Sequence, residues 1–252
     1  MREPQHEERV VIFGATSAIA AEVARRYAAR GARLHLVGRN AAKLADVAGQ
    51  CGGARVTTQQ ADFEQLDRGA EVMAEAVARL GRLDVALIAH GDLGDQLASE
   101  ASFDEAERII CVNFTSVVAL LVPLANHLQK ARSGRLAVIS SVAGDRGRPR
   151  NYTYGAAKGA LNLYLQGVRS RLLPSGVAVT TLKLGPVDTP MTVHHDKTAL
   201  FGRVDRVAAD IVRAIDAGTA EAYVPSFWRA IMPIVKNTPE AIFQRLPFLS
   251  GR

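Results

Sequence analysis

Two cysteines in 252 residues, Cys51 and Cys111, are too few for a disulfide framework or a four-cysteine zinc site, and neither stands in a CxxC pair. Their scarcity suits a reducing compartment, so a cytoplasmic protein is expected. The longest uninterrupted apolar run, Val117 to Ala125, is nine residues. A membrane-spanning helix needs about 20, so no spanning segment is expected. The opening MREPQHEER is polar and carries three glutamates, unlike a secretory signal. Aromatic residues make up only 6%. No arginine–aromatic stripe or nucleic-acid motif accompanies the basic residues, so no nucleic-acid partner is expected. No HExxH or carboxylate pattern marks a metal site. The adjacent His194 and His195 suit one metal poorly and read as part of a substrate loop over residues 190–203. Repeats, linkers and low-complexity tracts are missing too, which leaves one domain over residues 1–252.

What is present is 48% hydrophobic residues and a formal net charge of +6. The first excludes global disorder. The second fits an anionic ligand, a membrane surface or ordinary surface charge. Strands are expected at Val10–Phe13, Arg33–Val37, Arg55–Gln60, Asp84–Ala89, Leu136–Ser140, Val177–Leu184 and Ala222–Val224. Helices are expected between them at 18–30, 40–50, 64–79, 102–131, 152–173 and 204–216. Strands joined by helices imply parallel pairing. Runs such as VVIF and VALIA are continuous, as strands covered on both faces require. The fold class is therefore α/β, a doubly wound seven-stranded parallel sheet, with a ligand at the carboxyl ends of its strands. The core covers about residues 9–224. A tail, 225–252, adds Pro225, Pro233, Pro239 and Pro247 with Phe227, Trp228, Phe243 and Phe248.

The first strand runs into Gly14, Thr16, Ser17, Ala18 and Ile19 and then a helix. Such a turn aims backbone N–H groups at a pyrophosphate, although a tight turn in any α/β protein looks the same. Strand two ends in Gly38-Arg39. A carboxylate at that strand end would favour NAD; a guanidinium suits a 2′-phosphate. The expected cofactor is NADP(H) rather than NAD(H). Asp62 could accept from an adenine amino group or cap the following helix.

Tyr154 and Lys158 lie one helical turn apart. A free phenol has a pKa of about 10, and a nearby ammonium is expected to lower it, which would give a general acid–base. Ser141 closes strand five, where its hydroxyl could meet a substrate oxygen. Asn113 interrupts an apolar helix, where it could kink the helix and hold a water beside Lys158. Gly14, Asn113, Ser141, Tyr154 and Lys158, in this order and spacing, resemble the short-chain dehydrogenase/reductase family over about residues 9–224. The resemblance implies a Rossmann fold and hydride transfer between a nicotinamide and a carbonyl carbon. It makes Tyr154 the proton donor, Ser141 the orienting hydroxyl, Lys158 the ribose-binding cation and Asn113 the support of a relay water. It implies further cofactor contacts at Asp62, Phe63, His90, Gly91, Gly185, Val187 and Thr189. Three departures stand out. Phe13, Ala18 and Ala20 replace a threonine and two glycines in the first turn. Ile88-Ala89-His90-Gly91 replaces NNAG, and Leu184-Gly185 replaces PG. If position 18 needed φ > 0, alanine would cost about 1 kcal/mol there.

A narrower resemblance, carried by His90–Asp95, the arginines after Ser141, the YGAAKGALNLYLQG helix and the tail, is to reductases of decaprenylphosphoryl-2-keto-erythro-pentose. It implies a lipid- or phosphate-linked keto-sugar. Arg146, Arg148 and Arg150 are then candidates for its phosphodiester. In the tail, Trp228, Ile231, Ile234 and Val235 recur at helical spacing beside basic residues. That pattern fits either packing on the core or a peripheral membrane contact. The expected partners are a small or lipid-linked carbonyl substrate and a second copy in a homodimer or homotetramer. Another ketone or alcohol as substrate is the near alternative. A non-catalytic nucleotide-binding Rossmann protein is the distant one.

Overall fold

The computed structural model describes residues 7–53, 55–192 and 197–246. Seven parallel strands stand in the order β3-β2-β1-β4-β5-β6-β7. They are β1 (Arg9–Phe13), β2 (Arg33–Gly38), β3 (Val56–Gln60), β4 (Val85–Ile88), β5 (Arg135–Ser141), β6 (Ala178–Leu184) and β7 (Glu221–Val224). The order reverses between β1 and β4, which opens a crevice at their carboxyl ends.

The continuous apolar strands are covered on both faces. One layer packs Val10, Ile12, Leu34 and Leu36 against α1 (Ala18–Ala29), α2 (Ala41–Gln50) and α8 (Val204–Asp216). The other packs Val11, Phe13, Leu136 and Val138 against α3 (Gly69–Leu80), α6 (Ser116–Ala131) and α7 (Tyr152–Leu172). The sheet buries side chains of both parities, so alternation of polar and apolar residues has no place in these strands.

The helix expected over 102–131 is interrupted. After the short α4 (Gln96–Ala101) come α5 (Phe103–Ile110), one π turn (Cys111–Thr115) and then α6. The cause is at Asn113, whose side chain donates to the carbonyl of Ile109 at 2.9 Å and competes with the helix's own ladder. By length and composition Phe103–Ala131 could cross a membrane. In this fold Val117, Leu120, Leu121, Leu124 and Leu128 are buried in the core. The helix expected from residue 64 begins at Gly69, after a short 3₁₀ turn at Leu66–Arg68. The tail forms α9 (Trp228–Asn237) and α10 (Glu240–Phe243). Trp228, Met232, Val235 and Phe243 are buried together with Val142, so one side of the tail packs on the core while Ile234 stays exposed. Pro247, Phe248, His194 and His195 lie outside the described residues.

Candidate active site

The first turn holds one glycine because its geometry asks for one. Gly14 has φ +80° and donates its N–H to Val37 O at 2.9 Å. A Cβ there would sit 2.6 Å from the backbone nitrogen of His90. Ala18 is the first residue of α1, and Arg132 is the sole non-glycine residue with positive φ among the described residues. The strain expected for alanine at position 18 is therefore absent. Ser17 caps α1 by accepting from Ala20 N–H at 3.2 Å. Ala18 and Ile19 begin the helix, where N–H groups have no carbonyl one turn back and the helix end is positive. Such a cradle fits a pyrophosphate.

Arg39 is 68% exposed and forms an ion pair with Glu64 at 3.2 Å. The expected 2′-phosphate ligand thus already has a carboxylate partner. Thr16 lies against Gly38, its Oγ1 3.6 Å from where a Cβ would stand. Asp62 accepts from Glu64 N–H at 3.1 Å, a local turn bond. Phe63 stacks on His90 with ring centroids 4.4 Å apart.

His90 reaches Ser116 Oγ through Nε2 at 2.9 Å, and Ser116 donates its single proton to Val112 O at 2.8 Å. The serine must therefore accept from His90 Nε2–H, which leaves Nδ1 as a lone-pair acceptor. That atom is buried without a partner among the described residues. Burial, aided by Lys158 and Arg39, lowers the His90 pKa to about 3, so the ring is neutral. An orphaned acceptor beside the Gly14 turn fits a hydroxyl- or amine-bearing ligand such as a nucleoside.

Ser141, Tyr154, Lys158 and Asn113 gather beyond the ends of β4 and β5. Ser141 Oγ donates to Leu184 O at 3.3 Å and accepts from Ala143 N–H at 3.1 Å. Lys158 is 2% exposed; its Nζ lies 5.6 Å from the centre of the Tyr154 ring and donates to Ile139 O at 3.4 Å. No carboxylate pairs with it among the described residues. Burial lowers its pKa to about 8. A Cβ at Gly91 would stand 2.9 Å from Asn113 Oδ1 and 3.3 Å from Lys158 Nζ.

One expectation changes here. The phenol is not acidified by the ammonium: loss of solvation in the site raises Tyr154 to about 12. It is a protonated acid at neutral pH, the state that proton donation requires. Asn113 is fully buried, and its side chain is occupied by backbone. It donates to Asp92 O at 2.6 Å and Ile109 O at 2.9 Å and accepts from Asp92 N–H at 3.2 Å. Its side chain fixes the Gly91–Asp92 segment rather than reaching outward.

After β6, Gly185 N–H donates to Val224 O at 2.9 Å. Val187 bridges Gly202 and gives its carbonyl to Thr192 Oγ1 at 2.6 Å, and Thr189 N–H donates to the same hydroxyl at 3.2 Å. The three arginines separate. Arg146 is turned onto the tail, where Lys236 O, Thr238 O and Glu240 take its N–H groups. It is not a free phosphate ligand, because each of those acceptors lies on this chain. Arg148 has no ion pair among the described residues, its Nε is buried without an acceptor, and burial lowers its pKa. Arg150 is exposed. Among the described residues no three His, Cys, Asp or Glu gather to hold a metal.

The sequence reading missed a buried set behind Ser141. Lys183 and Asp145, each 3% exposed, pair at 3.0 Å; Lys183 also meets Glu221 at 3.0 Å, and Tyr223 donates to Asp145 at 2.6 Å. The available signal was a lysine inside the apolar strand AVTTLKL.

Comparison with known proteins places this geometry. Residues 8–199 match the family model described as short chain dehydrogenase. The chain is 36% identical over 241 residues to an uncharacterized oxidoreductase of Mycobacterium tuberculosis, covering 94% of this chain and 96% of that one. Levodione reductase shares the fold with TM-score 0.78 at 22% identity, covering 89% of this chain and 99% of that one. ElxO with NADP bound does so with TM-score 0.78 at 19% identity, covering 88% and 100%.

Proposed function

Because the chain belongs to the short-chain dehydrogenase family and is an oxidoreductase of that class, we propose that it is an NADPH-dependent ketoreductase. The observation that carries the reading is the half-buried, protonated Tyr154 phenol, one helical turn from the buried Lys158, whose Nζ lies 5.6 Å from its ring. When bound, the nicotinamide supplies the hydride. Ser141 orients the carbonyl oxygen, Tyr154 gives it a proton, and Lys158 holds a ribose while keeping positive charge beside the phenol. NADPH titration by fluorescence, followed by turnover of a ketone panel, tests it. An absence of binding at millimolar cofactor would point to a scaffold instead.

The choice of NADP(H) rests on Arg39, and a fold neighbour holds NADP. Arg39→Ala is expected to weaken NADPH binding by about tenfold, the worth of one charge-assisted bond at an exposed site, and to leave NADH unchanged. Glu64→Gln, which frees the guanidinium, should tighten NADPH. Equal losses for both cofactors in Arg39→Ala would remove this role.

The proposed substrate is a bulky anionic ketone, such as a lipid- or phosphate-linked keto-sugar of the polyprenylphosphoryl-2-keto-pentose kind. Arg148 supports it: a desolvated guanidinium without a counter-charge is costly unless an anion arrives. Arg148→Ala should raise KM about tenfold for a phosphorylated ketone and leave a small neutral ketone unchanged. The enzyme is proposed to work as a cytoplasmic homo-oligomer at the inner membrane face. The tail exposes Ile234 by 67%, with Phe227, Ile242, Arg229, Lys236 and Arg245 also outward, a composition suited to an anionic interface. Sedimentation with anionic vesicles, with Ile234→Ser as the weakened variant, checks that contact.

A further inference from the structure

We infer that Arg146 is a positioning residue for Ser141, acting through the C-terminal tail, so that α9 and α10 belong to the frame of the catalytic site. The inference rests on the reading of Ser141 as the hydroxyl that orients the carbonyl. Ser141 ends β5, and a single 3₁₀ turn, Val142–Asp145, follows it. The hydroxyl is held by two backbone groups, Ala143 N–H inside that turn and Leu184 O at the end of β6. One short turn cannot hold its own place, so its position depends on what packs against it.

The tail reaches both of those backbone groups. On the Ala143 side, Val142 is buried among Trp228, Met232, Val235 and Phe243. On the Leu184 side, the Trp228 indole lies against the next residue, Gly185, and leaves no room for a Cβ. Arg146 fastens this arrangement. Its guanidinium donates to Lys236 O and Thr238 O, both at 3.1 Å, where α9 ends. Carbonyls there lack intrahelical partners and carry the negative end of the helix. The same group pairs with Glu240 at 2.5 Å and lies 4.3 Å over the ring of Phe243. A planar fork can meet carbonyls, carboxylate and ring together; an ammonium cannot. From below, Asp145 is fixed by Lys183 and Tyr223, and Ala143 and Gly144 press on the α7 backbone at Gly155 and Gly159; the tail closes the side that these leave open.

The test uses the full chain. Arg146→Ala should speed amide exchange of the 142–145 turn by about tenfold, together with α9. Exchange in β1 and β2 should stay within about twofold, since those strands stand away from β6, β7 and the tail in the sheet order. The kcat for a reducible ketone should fall about tenfold, as a small misplacement of an orienting group produces, and Arg146→Lys should recover part of it. In the Ser141→Ala background the Arg146→Ala loss should vanish, because its effect passes through that hydroxyl. An unchanged turn with an opened α9 overturns the inference, as does the same loss with and without Ser141. If Arg146→Ala does not fold, Phe243→Leu and Arg146→Lys carry the same exchange comparison. A wild-type chain that reduces no ketone would instead overturn the reading of the site, while the exchange result would still decide the coupling.

Discussion

Tyr154→Phe should lower kcat for the proposed carbonyl reduction on the order of 10³-fold, within the range that a general acid contributes, and should leave NADPH binding nearly intact. The substitution removes one oxygen. The ring keeps its place on α7 above Lys158, and the cradle at Gly14, Ala18 and Ile19 is untouched. Single-turnover reduction with the variant, beside a cofactor titration, measures both effects. A loss below about tenfold would mean that another group supplies the proton. The pH dependence follows from two buried groups. The phenol, raised to about 12, stays protonated through neutral and mildly basic pH. Lys158, lowered to about 8, is charged below that pH and loses its proton above it. Reduction should therefore be level near neutral pH and decline as pH rises through about 8, with Lys158 rather than Tyr154 setting the alkaline limb. Lys158→Arg, which stays charged, should lose that limb even though its activity is lower throughout.

Gly14→Ala should be strongly destabilising. The residue would have to adopt φ +80°, which costs an L-residue about 1–2 kcal/mol. Its Cβ would also meet the His90 backbone at 2.6 Å, and backbone cannot swing aside as a side chain can. Overpacking of that kind adds about 1–3 kcal/mol. For a chain of this size each kcal/mol lowers Tm by about 2–4 °C, so a fall of about 4–20 °C is expected. NADPH affinity should drop as well, because His90 and the phosphate cradle meet at this glycine. Ala18→Gly is the informative counterpart. It restores a glycine that the family's motif has, yet position 18 is helical. It should leave NADPH affinity unimproved and cost a little stability through lost helix propensity. Thermal melts and cofactor titrations of the two variants separate a need for glycine in the turn from a need at one position.

Much of the site was legible because chemistry dictated residue types at short range. Tyr154 and Lys158 share a helix, so their spacing alone puts them on one face. Gly14 follows a strand and precedes a capped helix, so its turn could be anticipated. The strand–helix alternation fixed the sheet class, since helical crossovers force parallel pairing. What stayed hidden depended on partners distant in sequence. Arg146 looked like Arg148 and Arg150, three similar side chains in one loop. Their fates diverge only because α9 ends beside the first of them. The rise of the Tyr154 pKa could not be read either, since an i,i+4 neighbour suggests acidification and says nothing about how deeply both groups are buried.

The sequence by itself determined the fold class, the position of the first turn and the shared helix face of Tyr154 and Lys158, because each rests on local geometry and on periodicity along the chain. Tertiary structure decided which charges are free. It paired Arg39 with Glu64, turned Arg146 onto the tail and left Arg148 and Lys158 without carboxylates among the described residues. It also decided that the tail packs beside Ser141, since burial and the meeting of distant elements set the energy of a charge, and no stretch of sequence contains them.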